Sequence, residues 1–146
     1  MLISKEEHIK MKTNTPTRLF IVEDNFLCSY ILDNILKEYG NFQITTFATA
    51  EESIKLLDND PDVIILDYNL DNGMNGLEAF KIIQGRKPQI PVIVFSSQTD
   101  VKITADLVKI GVFDYIEKKD MHLGLEKLKK AIIKAIISKS NENKEN

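Results

Sequence analysis

The stretch that decides the fold is VIILD at residues 63–67, four branched aliphatic residues followed by Asp67. An apolar run without polar alternation predicts a strand buried on both faces, as in a parallel sheet. A second apolar run, residues 19–22, ends in Glu23 and Asp24. Open α/β sheets bind ligands at the carboxyl ends of their strands, so three carboxylates are expected at one edge. They repel one another unless a cation or a proton lies among them.

Length and composition limit the classes of protein to which the chain can belong. Its 146 residues fit one domain, and its 43% hydrophobic and 28% charged residues are ordinary for a globular protein. A net charge of -3 gives no reason to expect a nucleic-acid partner. No apolar run approaches the ~18 residues of a membrane helix, and the amino terminus has no signal-peptide pattern. A cytoplasmic protein without a membrane partner is expected.

Strand and helix patterns alternate five times along the chain. Strands are predicted at about 18–23, 42–47, 63–67, 92–96 and 112–117, and helices at about 26–38, 53–58, 76–86, 100–110 and 121–139. This alternation implies right-handed crossovers and a doubly wound α/β fold with helices on both faces of a parallel sheet. The folded domain is expected at 17–139, between a flexible leader at 1–16 and a disordered tail at 140–146.

The predicted strand ends bring together the groups needed for phosphoryl transfer to a carboxylate. Asp67 is the candidate nucleophile, and Lys118 can hold a phosphoryl oxygen as a point charge. Ser96 can donate a hydrogen bond to another phosphoryl oxygen. Mg²⁺ is the expected cofactor, because it prefers oxygen ligands and neutralises an anionic phosphoryl group. Its candidate ligands are the carboxylates of Glu23, Asp24 and Asp67 and the main-chain carbonyl of Asn69.

In this order and spacing, these residues resemble the receiver domain of two-component response regulators. Gly76 and Tyr115 also match, and the resemblance covers about residues 17–138. It implies a flavodoxin-like (βα)5 fold with strand order 2-1-3-4-5. It also implies that Asp67 is the phosphoacceptor and that Ser96 and Tyr115 are the switch hydroxyl and switch aromatic. Packing of Tyr115 against a helix is the alternative. A sensor histidine kinase or a histidine phosphotransfer protein would supply the phosphoryl group.

Two departures from the family pattern bear on the geometry of the site. Lys119 stands where the family usually has proline, so we expect a trans peptide bond after Lys118, since a cis bond without proline costs about 2.5–4 kcal/mol. The loop after Asp67, residues 69–76, is one residue longer than in the single-domain chemotaxis regulator and lacks the usual proline. The extra residue can widen the rim but should not remove the site.

Three functions compete at this stage. The first is a stand-alone receiver without an output domain, which either relays the phosphoryl group or switches binding to a target. The second is a haloacid dehalogenase-type enzyme, but Asn69 stands where those enzymes have an acidic residue. The third is a degenerate receiver that acts only in protein interaction. The first function is favoured. The chain is then expected not to be an enzyme, and to catalyse only its own phosphotransfer and dephosphorylation.

The resemblance also suggests where partners bind and how long the phosphoryl group lasts. The face of the fourth helix, fifth strand and last helix is a candidate surface for a target protein or a dimer. In the last helix, Ile133 and Ile137 pack on the core or contribute to a partner surface. Asn69 and Gln98 are polar but uncharged, and are expected to tune hydrolysis so that the phosphoryl lifetime is measurable.

Overall fold

A computed structural model describes residues 15–97 and 100–145 of the chain. The predicted leader lies outside the described residues except for its last two positions, and Gln98 also lies outside them. The strands are β1 Thr17–Val22, β2 Phe42–Phe47, β3 Val63–Leu66, β4 Val92–Ser96 and β5 Asp114–Glu117. The helices are α1 Phe26–Tyr39, α2 Ala50–Lys55, α3 Gly76–Arg86, α4 Val101–Ile110 and α5 Met121–Glu145, with a 3₁₀ turn at Leu57–Asn59.

The five strands form one parallel sheet in the order β2-β1-β3-β4-β5, which confirms the predicted fold class. Successive side chains of a strand point to opposite faces. Along β1, Phe20 and Val22 therefore pack with α2, α3 and α4, whereas Leu19 and Ile21 pack with α1 and α5. Every residue of β3 and β4 is buried, as expected for central strands. The edge strand β2 alternates, and three of its six side chains are exposed.

Side-chain caps determine where several helices begin. The side chains of Asn25 and Asn75 accept hydrogen bonds from main-chain N–H groups of α1 and α3. The predicted position of α2 at 53–58 is wrong. The Thr49 hydroxyl accepts from the Glu52 N–H at 3.3 Å, so the helix begins at once with Ala50.

The last helix is longer than predicted, because the disordered tail at 140–146 is instead helical as far as Glu145. Nothing in the sequence after Gly124 breaks a helix, since no further Gly or Pro occurs there. Ile133 is fully buried, which assigns it to the core, and Ile137 is half-buried. Within the described ranges, no helix has the length and apolar character needed to span a membrane.

Candidate functional site

The predicted carboxylates meet at the carboxyl edge of the sheet. β1 and β3 are neighbours, and the Asp67 N–H donates to the Val22 carbonyl at 3.0 Å, which extends the ladder by one residue. One carboxylate oxygen from each of Glu23, Asp24 and Asp67 lies within 4.8 Å of the others. Glu23 and Asp67 are buried, and Asp24 is partly exposed. The structure therefore brings together the three acidic residues that the sequence predicted.

Lys118 reaches this acidic cluster from β5. Its Nζ lies 2.7 Å from Glu23 Oε1 and 3.2 Å from Asp67 Oδ2. The ammonium group lies 5.6 Å from the centroid of the Phe95 ring. The described residues contain no cis peptide bond, so the bond between Lys118 and Lys119 is trans, as predicted. One lysine opposes three carboxylates, which leaves an excess of negative charge.

The donor set and its unsatisfied atoms fit a hard cation. Glu23 Oε2 is buried and has no hydrogen-bond partner among the described residues. A buried carboxylate oxygen without a partner is costly, and a cation with oxygen ligands removes that cost. Asn69 and Asp71 line the same open pocket of about 450 Å³ as the acidic cluster. The residues present are therefore suited to Mg²⁺.

The site separates the pKa values of its two buried carboxyl groups. Burial and the neighbouring Asp67 carboxylate raise the pKa of Glu23 to about 7 from its ordinary 4.5. Burial also acts to raise the pKa of Asp67, but a hydrogen bond with Glu23, the charge of Lys118 and other hydrogen bonds hold it below its ordinary value. Burial acts to lower the pKa of Lys118. The hydrogen bond with Glu23 and the negative charges of Asp67 and Glu23 outweigh burial, so the pKa of Lys118 is raised. Of the two buried carboxyl groups, Asp67 is thus the one that stays ionised.

Ser96 connects the acidic cluster to Tyr115. The Ser96 side chain is fully buried, and its hydrogen bond with Asp67 contributes to the low pKa of that carboxyl. Tyr115 is half-buried, and burial raises the pKa of its phenol, while hydrogen bonding with Thr104 and Ser96 acts in the opposite direction. Its side chain also packs against the core between the sheet and α2, α3 and α4. Tyr115 therefore packs against the core and also contacts Ser96, and its role as the switch aromatic stays a prediction.

The loop between β3 and α3 involves a contact that the sequence did not reveal. The Met74 N–H donates to Glu51 Oε1 at 2.5 Å, although the two residues are 23 positions apart. This hydrogen bond lowers the pKa of Glu51. Glu51 is an ordinary first-turn acidic residue by sequence, so no local pattern distinguishes it from Glu52.

Comparison with known proteins identifies the family. The family model of the response regulator receiver domain matches residues 19–133 of the chain. The chain belongs to this family. The receiver domain is 33% identical over 123 residues to protein-glutamate methylesterase/protein-glutamine glutaminase of Clostridium acetobutylicum, covering 82% of the chain and 35% of that protein. It is 32% identical over 100 residues to the DNA-binding transcriptional regulator NtrC of Klebsiella pneumoniae, covering 68% of the chain and 21% of that protein. The chain thus spans about a third or less of these relatives.

Solved structures agree with this assignment. A CheY-like response regulator receiver domain protein from Methanospirillum hungatei has a TM-score of 0.78 at 20% identity, over 88% of this chain and 99% of that chain. A LuxR-family DNA-binding response regulator from Staphylococcus aureus has a TM-score of 0.73 at 27% identity, over 82% of this chain and 98% of that chain. Receiver domains take phosphoryl groups from histidine kinases and bind Mg²⁺ at an acidic pocket, and this receiver domain has such an acidic cluster.

The raised pKa of Glu23 predicts how the stability of the metal-free receiver domain depends on pH. Between pH 4.5 and about 7 the folded chain holds a proton at Glu23 that the unfolded chain has lost. Stability therefore falls as pH rises through this window, by roughly 1–3 kcal/mol in total. Glu23→Gln should remove that loss, so the variant should gain stability over wild type at pH 8 but little at pH 5.

Urea unfolding in the presence of a chelator, at both pH values, measures this difference. Glu52→Gln is the matched control, because it removes the same charge from an exposed position. A stability difference between Glu23→Gln and wild type that is the same at pH 5 and pH 8 would contradict the prediction.

Proposed function

We propose that this receiver domain accepts a phosphoryl group on Asp67 and uses it to switch the binding of a partner. The observation that supports this most directly is the Asp67 carboxylate, which lies in the acidic cluster and is kept ionised by a hydrogen bond with Glu23 and the charge of Lys118. In the reaction, an Asp67 oxygen forms a bond to the phosphorus of a phosphohistidine. The bond from phosphorus to the imidazole nitrogen breaks, and its electron pair stays on the nitrogen.

The chain's own residues prepare this reaction by position and charge. Glu23, Asp24, Asp67 and the main-chain carbonyl of Asn69 would hold Mg²⁺, which neutralises charge on the phosphoryl oxygens when it is bound. Lys118 already touches Asp67 Oδ2 and is suited to turn to a phosphoryl oxygen. Phosphoryl transfer needs little more than such positioning and electrostatic stabilisation.

The contacts of Ser96 support a switch rather than a relay alone. Its hydroxyl interacts with both Asp67 and Tyr115, so a phosphoryl group that attracts the hydroxyl also changes the surroundings of Tyr115. Tyr115 lies on β5, beside α4, where Val101 and Val108 are largely exposed. We therefore infer that a target protein or a second copy binds the face formed by α4, β5 and α5.

The opposite side of the pocket is suited to the phosphoryl donor. Leu27 lines the pocket next to the acidic cluster, and it is exposed together with its neighbours Phe26 and Tyr30. We infer that a histidine kinase or a histidine phosphotransfer protein contacts this start of α1, in the cytoplasm where such donors act. The dehalogenase-type alternative has no support, because Asn69 has no acidic proton to donate.

Intact mass spectrometry tests the phosphoacceptor. After incubation with Mg²⁺ and acetyl phosphate, wild type should gain one phosphoryl group and Asp67→Asn should gain none. The amide keeps the size of the side chain but lacks the nucleophilic carboxylate. Equal labelling of the two proteins would contradict the assignment of Asp67.

Two adjacent lysines provide a matched test of the proposed cation. Lys118→Gln should slow labelling by acetyl phosphate by about 10²–10³-fold, the range seen when one stabilising donor is removed. Lys119→Gln should label like wild type, because Lys119 is exposed and outside the acidic cluster. Labelling rates from a quenched time course give the comparison, and similar rates for both variants would exclude a role for Lys118 in the transfer.

Light scattering with chemical crosslinking tests the target face. Val108→Lys places a charge on an apolar position that is 55% exposed. We expect phosphorylation to increase dimer formation or target capture in wild type and to have no such effect in this variant. Phosphoryl uptake should be unchanged, since Val108 is outside the acidic pocket. Association that is the same in both proteins would exclude this face.

A further inference from the structure

The loop from Tyr68 to Asn75 is held in place by carboxylates from outside it. The Gly76 N–H donates to the Tyr68 carbonyl at 3.0 Å, which closes the loop at its base. Inside the loop, the Asp71 N–H donates to Asp24 Oδ2 at 2.9 Å. The Asn69 N–H donates to Asp67 Oδ1 at 3.2 Å. The Met74 N–H donates to Glu51, as described above. Three main-chain donors of one loop thus depend on three carboxylates, of which only Glu51 lies on a helix.

These three carboxylates differ in what the reaction demands of them. Asp67 is the proposed phosphoacceptor, and Asp24 is a proposed metal ligand, so both take new partners when the site is filled. Glu51 lies on α2 and is not part of the acidic cluster. Its hydrogen bond to the loop therefore does not compete with a metal ion or a phosphoryl group at the acidic cluster.

The surroundings of Glu51 are built to keep this contact. Gly73 has a φ of 84°, and a Cβ placed there would lie 2.7 and 2.8 Å from the two Glu51 carboxylate oxygens. The loop thus needs glycine for its backbone conformation, and the Glu51 carboxylate lies against the open side of that glycine. The helix that carries Glu51 is anchored by the Thr49 cap and the fully buried Ala50. A helix that is fixed at its start in this way is suited to carry a residue that orients other groups.

We propose that Glu51 is a positioning residue for the reaction at Asp67. It holds the loop so that the Asn69 main-chain carbonyl stays within reach of Mg²⁺ at the acidic cluster. The inference rests on the proposed function, because it concerns the metal that assists phosphorylation. Without Glu51 the loop loses the one of its three carboxylate acceptors that lies outside the acidic cluster, and metal binding must order the loop as well as fill the site. Mg²⁺ affinity should fall, while the reaction at saturating Mg²⁺ should be kept.

Amide exchange in the metal-free protein tests the contact itself. Glu51→Ala should speed exchange of the Met74 amide and its loop neighbours by about tenfold, because the acceptor is lost and the loop opens more often. Glu52→Ala is the matched control, since it removes the same side chain from the next position, where it is exposed. Exchange in the control should match wild type.

Calorimetric titration with Mg²⁺, followed by labelling with acetyl phosphate, tests the consequence for the site. Glu51→Ala should raise the Kd for Mg²⁺ by about tenfold, the low end of the range for residues that orient metal ligands. The maximal labelling rate at saturating Mg²⁺ should stay within about twofold of wild type, because Asp67 and Lys118 are untouched. Glu51→Gln retains an acceptor oxygen and should recover most of the affinity.

The outcomes separate this inference from the proposed function. If wild type is labelled on Asp67 but Glu51→Ala matches Glu52→Ala in exchange and Mg²⁺ affinity, the positioning role is overturned and the phosphoacceptor stands. If wild type is not labelled on Asp67, the proposed function fails, and the inference fails with it. If Glu51→Ala does not fold, Glu51→Asp takes its place, because it keeps the charge but shortens the reach. Wild-type exchange and affinity in that variant would equally overturn the role.

Discussion

The attraction between the Lys118 ammonium and the carboxylates of Glu23 and Asp67 is the interaction on which the site depends. β5 is two strands away from β3, a span of about 10 Å at ordinary strand spacing. A long side chain is needed to cross it, and Lys118 does so over the end of β4, near Phe95 and Ser96. The order of the strands thus requires both the reach of lysine and a small residue at the end of β4.

That attraction does not fully offset the cost of burying two carboxylates. Burial outweighs the lysine at Glu23, whose pKa rises to about 7, whereas Asp67 stays ionised. Buried charges are costly unless every one is paired, and Glu23 Oε2 has no partner among the described residues. The site is therefore less stable than a fully paired core would be. Such a site responds to a cation, because a cation supplies the positive charge that the unpaired carboxylate oxygen lacks.

Much of the fold was predictable because its signals are local. The apolar runs before Glu23 and Asp67 predicted the buried strands β1 and β3. The carboxyl ends of those strands then placed Asp67 and Glu23 together without any knowledge of the loops. The boundary errors were also local. The predicted start of α2 at residue 53 lies past the cap that Thr49 provides, and the predicted end of α5 at residue 139 stops short although no helix breaker follows.

The contacts that were not predictable join distant parts of the chain through backbone groups. Glu51 binds a main-chain N–H, and such a donor occurs at every residue except proline, so nothing in the sequence identifies Met74 as its partner. The position of Lys118 is determined in a similar way. Its own N–H donates to the Ser96 carbonyl at 2.9 Å, so the register of β5 on β4 places the lysine. The hydrogen bonds that join β5 to β4 reach as far as Lys118. Lys119 comes after them, is exposed, and is joined to Lys118 by a trans peptide bond. The missing proline therefore leaves the lysine where the site needs it.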